Sequence, residues 1–286
     1  MSLLVGKIKD TYYINYIALD RPQIRESAIN EPSLFFDRYK PPIIIDEIQK
    51  APQLFEYVKD YADTDKKKGQ FYLTGSQSLQ LMKNINDTLR GDESLAGRAG
   101  VIKMLGLSMR ELDGITYQQP FFPSQKHIAE MSKSACAFSY EAAVNLNKRL
   151  IKTPKIYFLD TGLACWLLGW NTPQALVSCA MWGHIFESFV VAEILKSYYN
   201  DGIVEAPLYY YRDKDKNEID IIIQSGNTLH PVEIKATGDP QKSMISSFKY
   251  LDAIPGMTRG SGAIICMSRE VLPITKTDSI IPVSCI

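Results

Sequence analysis

NEIDIIIQSGNTLHPVEIKAT runs from Asn217 to Thr237, and its reading decides the fold of the second half of the chain. Two apolar runs flank Ser225-Gly226-Asn227, where Gly and Asn tolerate positive φ at little cost, so the stretch predicts a β-hairpin. Side chains alternate across a strand. Ile219, Ile221 and Ile223 are therefore expected on one face, and Asp220 on the other with Ile222 and Gln224. In the second run Val232 and Ile234 go one way, Glu233 and Lys235 the other. A two-residue turn at Gly226-Asn227 sets Asp220 opposite Glu233, with Cβ atoms roughly 4.5–5.5 Å apart, close enough for like charges to repel. A hard divalent cation shared by both carboxylates removes that repulsion. Asp220 and Glu233 are thus a candidate metal pair, with Mg²⁺ or Mn²⁺ as the candidate cofactor, and Lys235 is placed to orient a water or offset charge on a phosphate oxygen.

A third acid joins them. In GHIFESFVVAEIL, Glu187 falls in line with Val190, Val191 and Ile194, on an apolar helical stripe rather than a wet face. The order helix acid, strand acid, turn, acid-x-Lys, helix makes Glu187, Asp220, Glu233 and Lys235 candidate catalytic residues for phosphodiester chemistry. The same residues also admit a reading without chemistry, in which Glu187 complements a helix dipole and the other three form a cross-strand salt-bridge cluster.

The first half reads as strand, helix, strand, helix. YYINYIALD, KPPIIIDEI and QFYLTGS are strand-like, with helices expected over PQIRESAINEPSLFFDRY, broken at Pro32, and from Pro52 to Ala62. Three consecutive isoleucines without alternation suit a parallel strand covered on both faces. VIKMLGL, Val101 to Leu107, is expected to add another strand. Asp46 and Glu47 end the isoleucine strand as a Walker B pair does, the first to hold Mg²⁺ and the second to polarise a water, and Thr74-Gly75-Ser76 ends the next. A solvated strand end gives the same pattern. The phosphate cradle G-x-x-x-x-G-K-[ST] is missing from the 286 residues. From Asp113 to about Lys148 the pattern weakens, with a weak helix around His127 to Val144. Beyond it come the basic stretch NKRLIKTPK, a strand IYFLD, a helix TGLACWLLGW, a helix from Gly183 to Tyr199, three strands at Leu208 to Arg212, Glu218 to Gln224 and Thr228 to Lys235, a helix from Pro240 to Leu251, and a closing strand Gly262 to Met267.

Composition sets the limits. Hydrophobic residues make up 45% and charged residues 22%, ordinary for a globular protein, and 32 basic residues balance 32 acidic ones, which argues against a surface that is basic throughout. Five cysteines without a C-x-x-C pair, and three scattered histidines, offer neither a zinc site nor a disulfide framework. No run approaches a membrane span, so no membrane partner is expected and the cytoplasm is the expected compartment. Lys148, Arg149, Lys152 and Lys155 with Tyr157 could touch a nucleic-acid backbone, or form a solvated basic face.

The run from Tyr13 to Leu112 resembles the core of a prokaryotic AAA-type ATPase family, in which a P-loop precedes this segment, IIIDEIQKAP carries Walker B, LTGSQ the first sensor and SLAGR an arginine finger. The resemblance makes Asp46, Glu47, Ser76 and Arg98 remnants of an ATP site. The same family carries a carboxyl-terminal domain similar to restriction endonucleases, and KTPKIYFLDTGL through VEIKAT resembles it, with Glu187, Asp220, Glu233 and Lys235 falling on its PD-(D/E)xK pattern. The implied fold class is α/β: a partial P-loop-type parallel sheet lacking its P-loop strand over residues 1–112, a linker or residual helical region over 113–147 where a winged helix is compressed, and a restriction-endonuclease-like α/β domain over 148–286. Without the cradle the chain reads as a truncated member for which ATP is not expected as a cofactor. Its candidate partners are nucleic acid, a protein partner such as an intact paralogue, or a second copy of itself.

Overall fold

The computed structural model describes residues 14–65, 67–75, 100–115, 119–131, 155–213 and 217–286. The chain divides into two compact units, Met1–Gly100 and Val101–Ile286.

In the first unit three short strands, β1 (Asn15–Ala18), β2 (Ile43–Asp46) and β3 (Phe71–Leu73), form a parallel sheet in the order β1-β2-β3. Proline sets the helix starts between them. α1 (Pro22–Asn30) and α2 (Pro32–Arg38) each begin on a proline, whose fixed φ suits the first helical position and whose missing N–H costs nothing there. α3 (Leu54–Thr64) precedes β3. Ile43 and Ile45 of β2 are fully buried against Leu19, Phe35, Ile48 and Leu54, as an unalternating apolar run requires. Ser76 and Arg98 lie outside the described residues.

The second unit is larger. Among the described residues its helices are α4 (Met109–Leu112), α5 (Gln125–Met131), α6 (Thr161–Leu167), α7 (Pro173–Val177) and α8 (Trp182–Asn200). Its sheet holds β4 (Leu208–Arg212), β5 (Glu218–Ser225), β6 (Thr228–Lys235), β7 (Thr258–Arg259), β8 (Gly262–Cys266), β9 (Leu272–Pro273) and β10 (Asp278–Pro282), in the order β4-β5-β6-β8-β10-β9 with β7 on β6. The β4, β5, β6 meander is antiparallel, whereas β6, β8 and β10 run parallel. α8 is buried through most of its length and covers one face, meeting Ile221, Ile223, Val232, Ile234 and Ile265. A 3-10 helical segment, Lys242–Ala253, covers the other through Phe248 and Leu251. A fully buried ion pair fixes α8 to the start of this unit: Lys196 Nζ lies 2.7 Å from Glu193 and donates to Leu107 O, while Glu193 accepts from Met109 N.

Three expectations change. Val101–Leu107 forms no strand; Ile102 is 75% exposed and the segment is held by polar anchors such as Lys196 on Leu107 O, so apolar content alone misled. IYFLD is reduced to a single bridge at Leu159, with Ile156 and Phe158 exposed. The strand Gly262–Cys266 does not close the unit, because β10 pairs beside it in parallel; Pro282 in the SIIP run masked a strand that its last position tolerates. The unit begins at Val101, and Met109, Phe121 and Ile128 all enter its core.

Candidate functional site

The hairpin register follows from the turn. Ile221 pairs with Val232, and the ladder continues through Ile222–Pro231, Ile223–His230 and Gln224–Leu229 to Ser225–Thr228, leaving Gly226 and Asn227 as the loop. Gly226 supplies the positive φ, at 58°. Past Ile221 the two strands part. β6 stays on β8 as far as Lys235–Cys266, and β5 continues only with β4.

Asp220 stands at this fork, on a bulge. Between the pairs Tyr209–Ile222 and Tyr211–Ile219 strand β5 advances three residues while β4 advances two, so one residue is extra. The bulge inverts the alternation. Ile219 therefore packs with Ile222 and Phe248 and does not share a face with Ile221 and Ile223, which pack against α8. It also lets Asp220 reach in two directions. Its Oδ2 accepts from the Ile234 backbone N–H at 2.9 Å, a donor freed where the ladder ends, and from Lys235 Nζ at 3.1 Å. Its Oδ1 accepts from Lys155 Nζ, also at 3.1 Å.

Lys155 was legible only as one of a basic run. Its ammonium lies 2.7 Å from Glu187 Oε1 and also pairs with Glu218 Oε1. Tyr157, two residues on, donates to the same Glu187 oxygen at 2.8 Å. Among the described residues, Glu187, Glu218 and Asp220 each offer an oxygen within 4.8 Å of one another, a spacing that one cation can bridge. The directly opposed Asp220–Glu233 pair expected from the turn is not formed, because the ladder ends at Ile221–Val232, and Glu233 meets Asp220 by another route. Its Oε2 lies 2.6 Å from Lys235 Nζ, the ammonium that Asp220 also uses, and its Oε1 accepts from Ser247 at 2.8 Å. The structure thus brings Glu187, Asp220, Glu233 and Lys235 into one network and adds Lys155 and Glu218. Glu218 carried a signal in the sequence, since it sits two positions before Asp220 at the start of the same strand. Lys155, 65 residues from Asp220, carried only the signal of a basic run, which does not point to these acids.

The electrostatics follow from burial and partners. Asp220 is only 8% exposed, which disfavours its charge, yet Lys155, Lys235 and the Ile234 N–H outweigh this and hold its pKa below the usual range. Glu233, 4% exposed, is pushed up to about 7 by burial and by Asp220, despite Lys235 and Ser247. Burial opposes the charge on Lys155, but Asp220, Tyr157 and Glu187 prevail and raise its pKa. With Arg212 Nε 3.6 Å from Glu218, three cationic side chains face four carboxylates.

The first unit builds a different acid site. Asp46 ends β2 and accepts from Tyr16 Oη at 2.6 Å and from the Thr74 hydroxyl. That contact pushes the Tyr16 phenol up to about 12, through the hydrogen bond first and then burial and charge. Glu47 follows in the left-handed region at φ 59°, an uncommon conformation for a side chain larger than Gly, and is bonded by Gln49.

Residues 2–113 match the AAA domain. Residues 182–286 match a domain of unknown function (DUF4143), and residues 135–174 match a second one (DUF8612). Asp46 and Glu47 fall in the first match; Glu187, Glu218, Asp220, Glu233 and Lys235 fall in DUF4143; Lys155 falls in DUF8612. Uncharacterized proteins of Mycobacterium bovis and Mycobacterium tuberculosis are each 22% identical to this chain over 291 residues, covering 76% of the chain and 64% of the relative. The chain therefore spans just under two thirds of the length of the curated relatives it matches. No solved structure matches. Residues 2–113 are AAA-like, and among the described residues no helix is long and apolar enough to cross a membrane.

Proposed function

We propose that the second unit is a metal-dependent phosphodiester site on a PD-(D/E)xK nuclease-like fold, acting on nucleic acid. The observation that carries this reading is Asp220 at the strand fork, one oxygen bonded to the Lys155 ammonium that also meets Glu187 and Glu218, the other to the Lys235 ammonium that also meets Glu233. Carboxylate oxygens are the ligands that Mg²⁺ and Mn²⁺ prefer. Asp220 would hold the cation with Glu187 and Glu218, and Glu233 once it has lost its proton. When bound, the cation would supply Lewis-acid polarisation of a phosphate oxygen and a more acidic water. Lys235, 35% exposed in its side chain and bonded to both Asp220 and Glu233, would turn toward a phosphate.

In the AAA-like region, Asp46 and Glu47 follow a Walker B pattern, which would let them hold a cation and polarise a water. A second reading has one observation in its favour. The Lys155 ammonium already compensates three carboxylates without metal, which suits a non-catalytic module that binds a protein partner or another copy.

The test is cleavage of single-stranded and duplex DNA and RNA by the full chain with Mn²⁺ or Mg²⁺. Metal-dependent cleavage that falls by about 100-fold in Lys235→Ala is expected. Products that form equally without metal, or an unaffected Lys235→Ala, would refute the assignment.

A further inference from the structure

We propose that Lys155 is a tethered counter-ion that excludes metal from the site, so that Mn²⁺ or Mg²⁺ enters by displacing its ammonium from Glu187, Glu218 and Asp220. This rests on the metal-site reading above and assigns its regulation. Three observations carry it. The ammonium pairs with one oxygen of each of the three acids whose oxygens gather within 4.8 Å, so it stands where a cation bridging them would stand. Oxygens facing each other across one divalent ion are separated by about 4–5 Å, twice the metal–oxygen distance, which leaves no room for a second cation. An ammonium and a divalent ion inside that cage would also repel strongly, because the surroundings are largely buried.

The tether permits the exchange. Lys155 lies on neither α8 nor the hairpin but on a stretch without helix ahead of α6, where Ile156 and Phe158 are exposed, Tyr157 is buried and Leu159 makes a strand bridge. Withdrawing its side chain breaks no sheet hydrogen bond. It also comes from a different matched region than the acids, 135–174 against 182–286, so acids and counter-ion are separate contributions to one cluster. Lys235 is not equivalent. It meets the three-acid group through Asp220 alone and otherwise pairs with Glu233, whereas Lys155 reaches all three acids.

Calorimetric titration of the full chain with MnCl₂, comparing wild type with Lys155→Met, tests the proposal. The variant is expected to bind Mn²⁺ at least about tenfold more tightly. Arg212→Met is the control for charge alone, since Arg212 sits 3.6 Å from Glu218 at the margin of the cluster, and its gain should be smaller. Equal gains in the two variants, or affinity unchanged or weaker in Lys155→Met, would overturn displacement while leaving the metal site standing. Binding by neither wild type nor Lys155→Met would remove the metal site and this inference together. Amine acylation of the wild type, mapped by mass spectrometry, keeps the test independent of how the variant folds. Lys155 should be protected without metal and modified several-fold faster in saturating Mn²⁺, and protection unchanged by Mn²⁺ that binds would also overturn it.

Discussion

Asp46 and Asp220 each sit where a buried strand gives out, yet their surroundings differ in kind. Asp46 is held by hydroxyls, from Tyr16 and Thr74. Asp220 is held by two ammonium groups and a backbone N–H. Neutral donors orient a carboxylate and leave its charge uncompensated, whereas ammonium groups compensate it before any ligand arrives. One chain thus contains an acid held by neutral hydroxyls and an acid held by cations. The consequence is a different dependence on each acid: removing a charge matters most where buried partners have been built around it.

The largest expected effect follows directly. Asp220→Asn strips a negative charge from two lysines in a mostly buried cluster and should cost the second unit about 3 kcal/mol in urea unfolding. The sequence left both directions open: an opposed Asp220–Glu233 pair without a cation allows the Asn variant a gain, whereas a salt-bridge cluster implies a loss or no change. Lys155 and Lys235 on Asp220 favour the loss. Asp46→Asn, whose partners are neutral and whose carboxylate is partly exposed, should cost the first unit about 1 kcal/mol or less. Equal costs would erase the contrast.

Next in size is a pH effect confined to the second unit. Glu233 holds its proton up to about 7 in the folded protein, against 4.5 when unperturbed. Between those values the unfolded state binds fewer protons, so this group makes wild-type stability fall as pH rises, by about 2–3 kcal/mol across the interval. Glu233→Gln should gain on the wild type by that amount between pH 4.5 and 7 and no further above it. A constant difference across the range would show that Glu233 does not hold its proton. Metal affinity should rise over the same interval, because the carboxylate must ionise to bind. Smaller still, Tyr16→Phe removes one neutral donor from Asp46 and should cost about 0.5 kcal/mol. Smallest, ATP with Mg²⁺ should leave the melting of the first unit within about 1 °C, since a ligand far below its Kd stabilises nothing.

Much of this was legible in the sequence because it is local. Ser225-Gly226-Asn227 specified the hairpin register, Ile43–Ile45 specified a covered parallel strand, and the spacing of Glu187 from Val190, Val191 and Ile194 set it on a buried helix. What escaped depends on partners distant in sequence. The bulge at Asp220 arises from how β5 meets β4, and strict alternation could not anticipate it. Lys155 reaches its acids from a segment without helix and with no periodic signal, and β10 was hidden by its proline. The PD-(D/E)xK reading came from the order of acids and lysine, which places residues without telling which cation they hold.

The central claim, that the fork around Asp220 is a divalent-cation site, is tested most directly by thermal melting of the second unit in increasing Mn²⁺. Wild type should melt a few degrees higher in millimolar Mn²⁺, Lys155→Met should respond at lower concentration, and Asp220→Asn should not respond. Melting of wild type and Lys155→Met that is indifferent to Mn²⁺ up to about 10 mM would contradict the account.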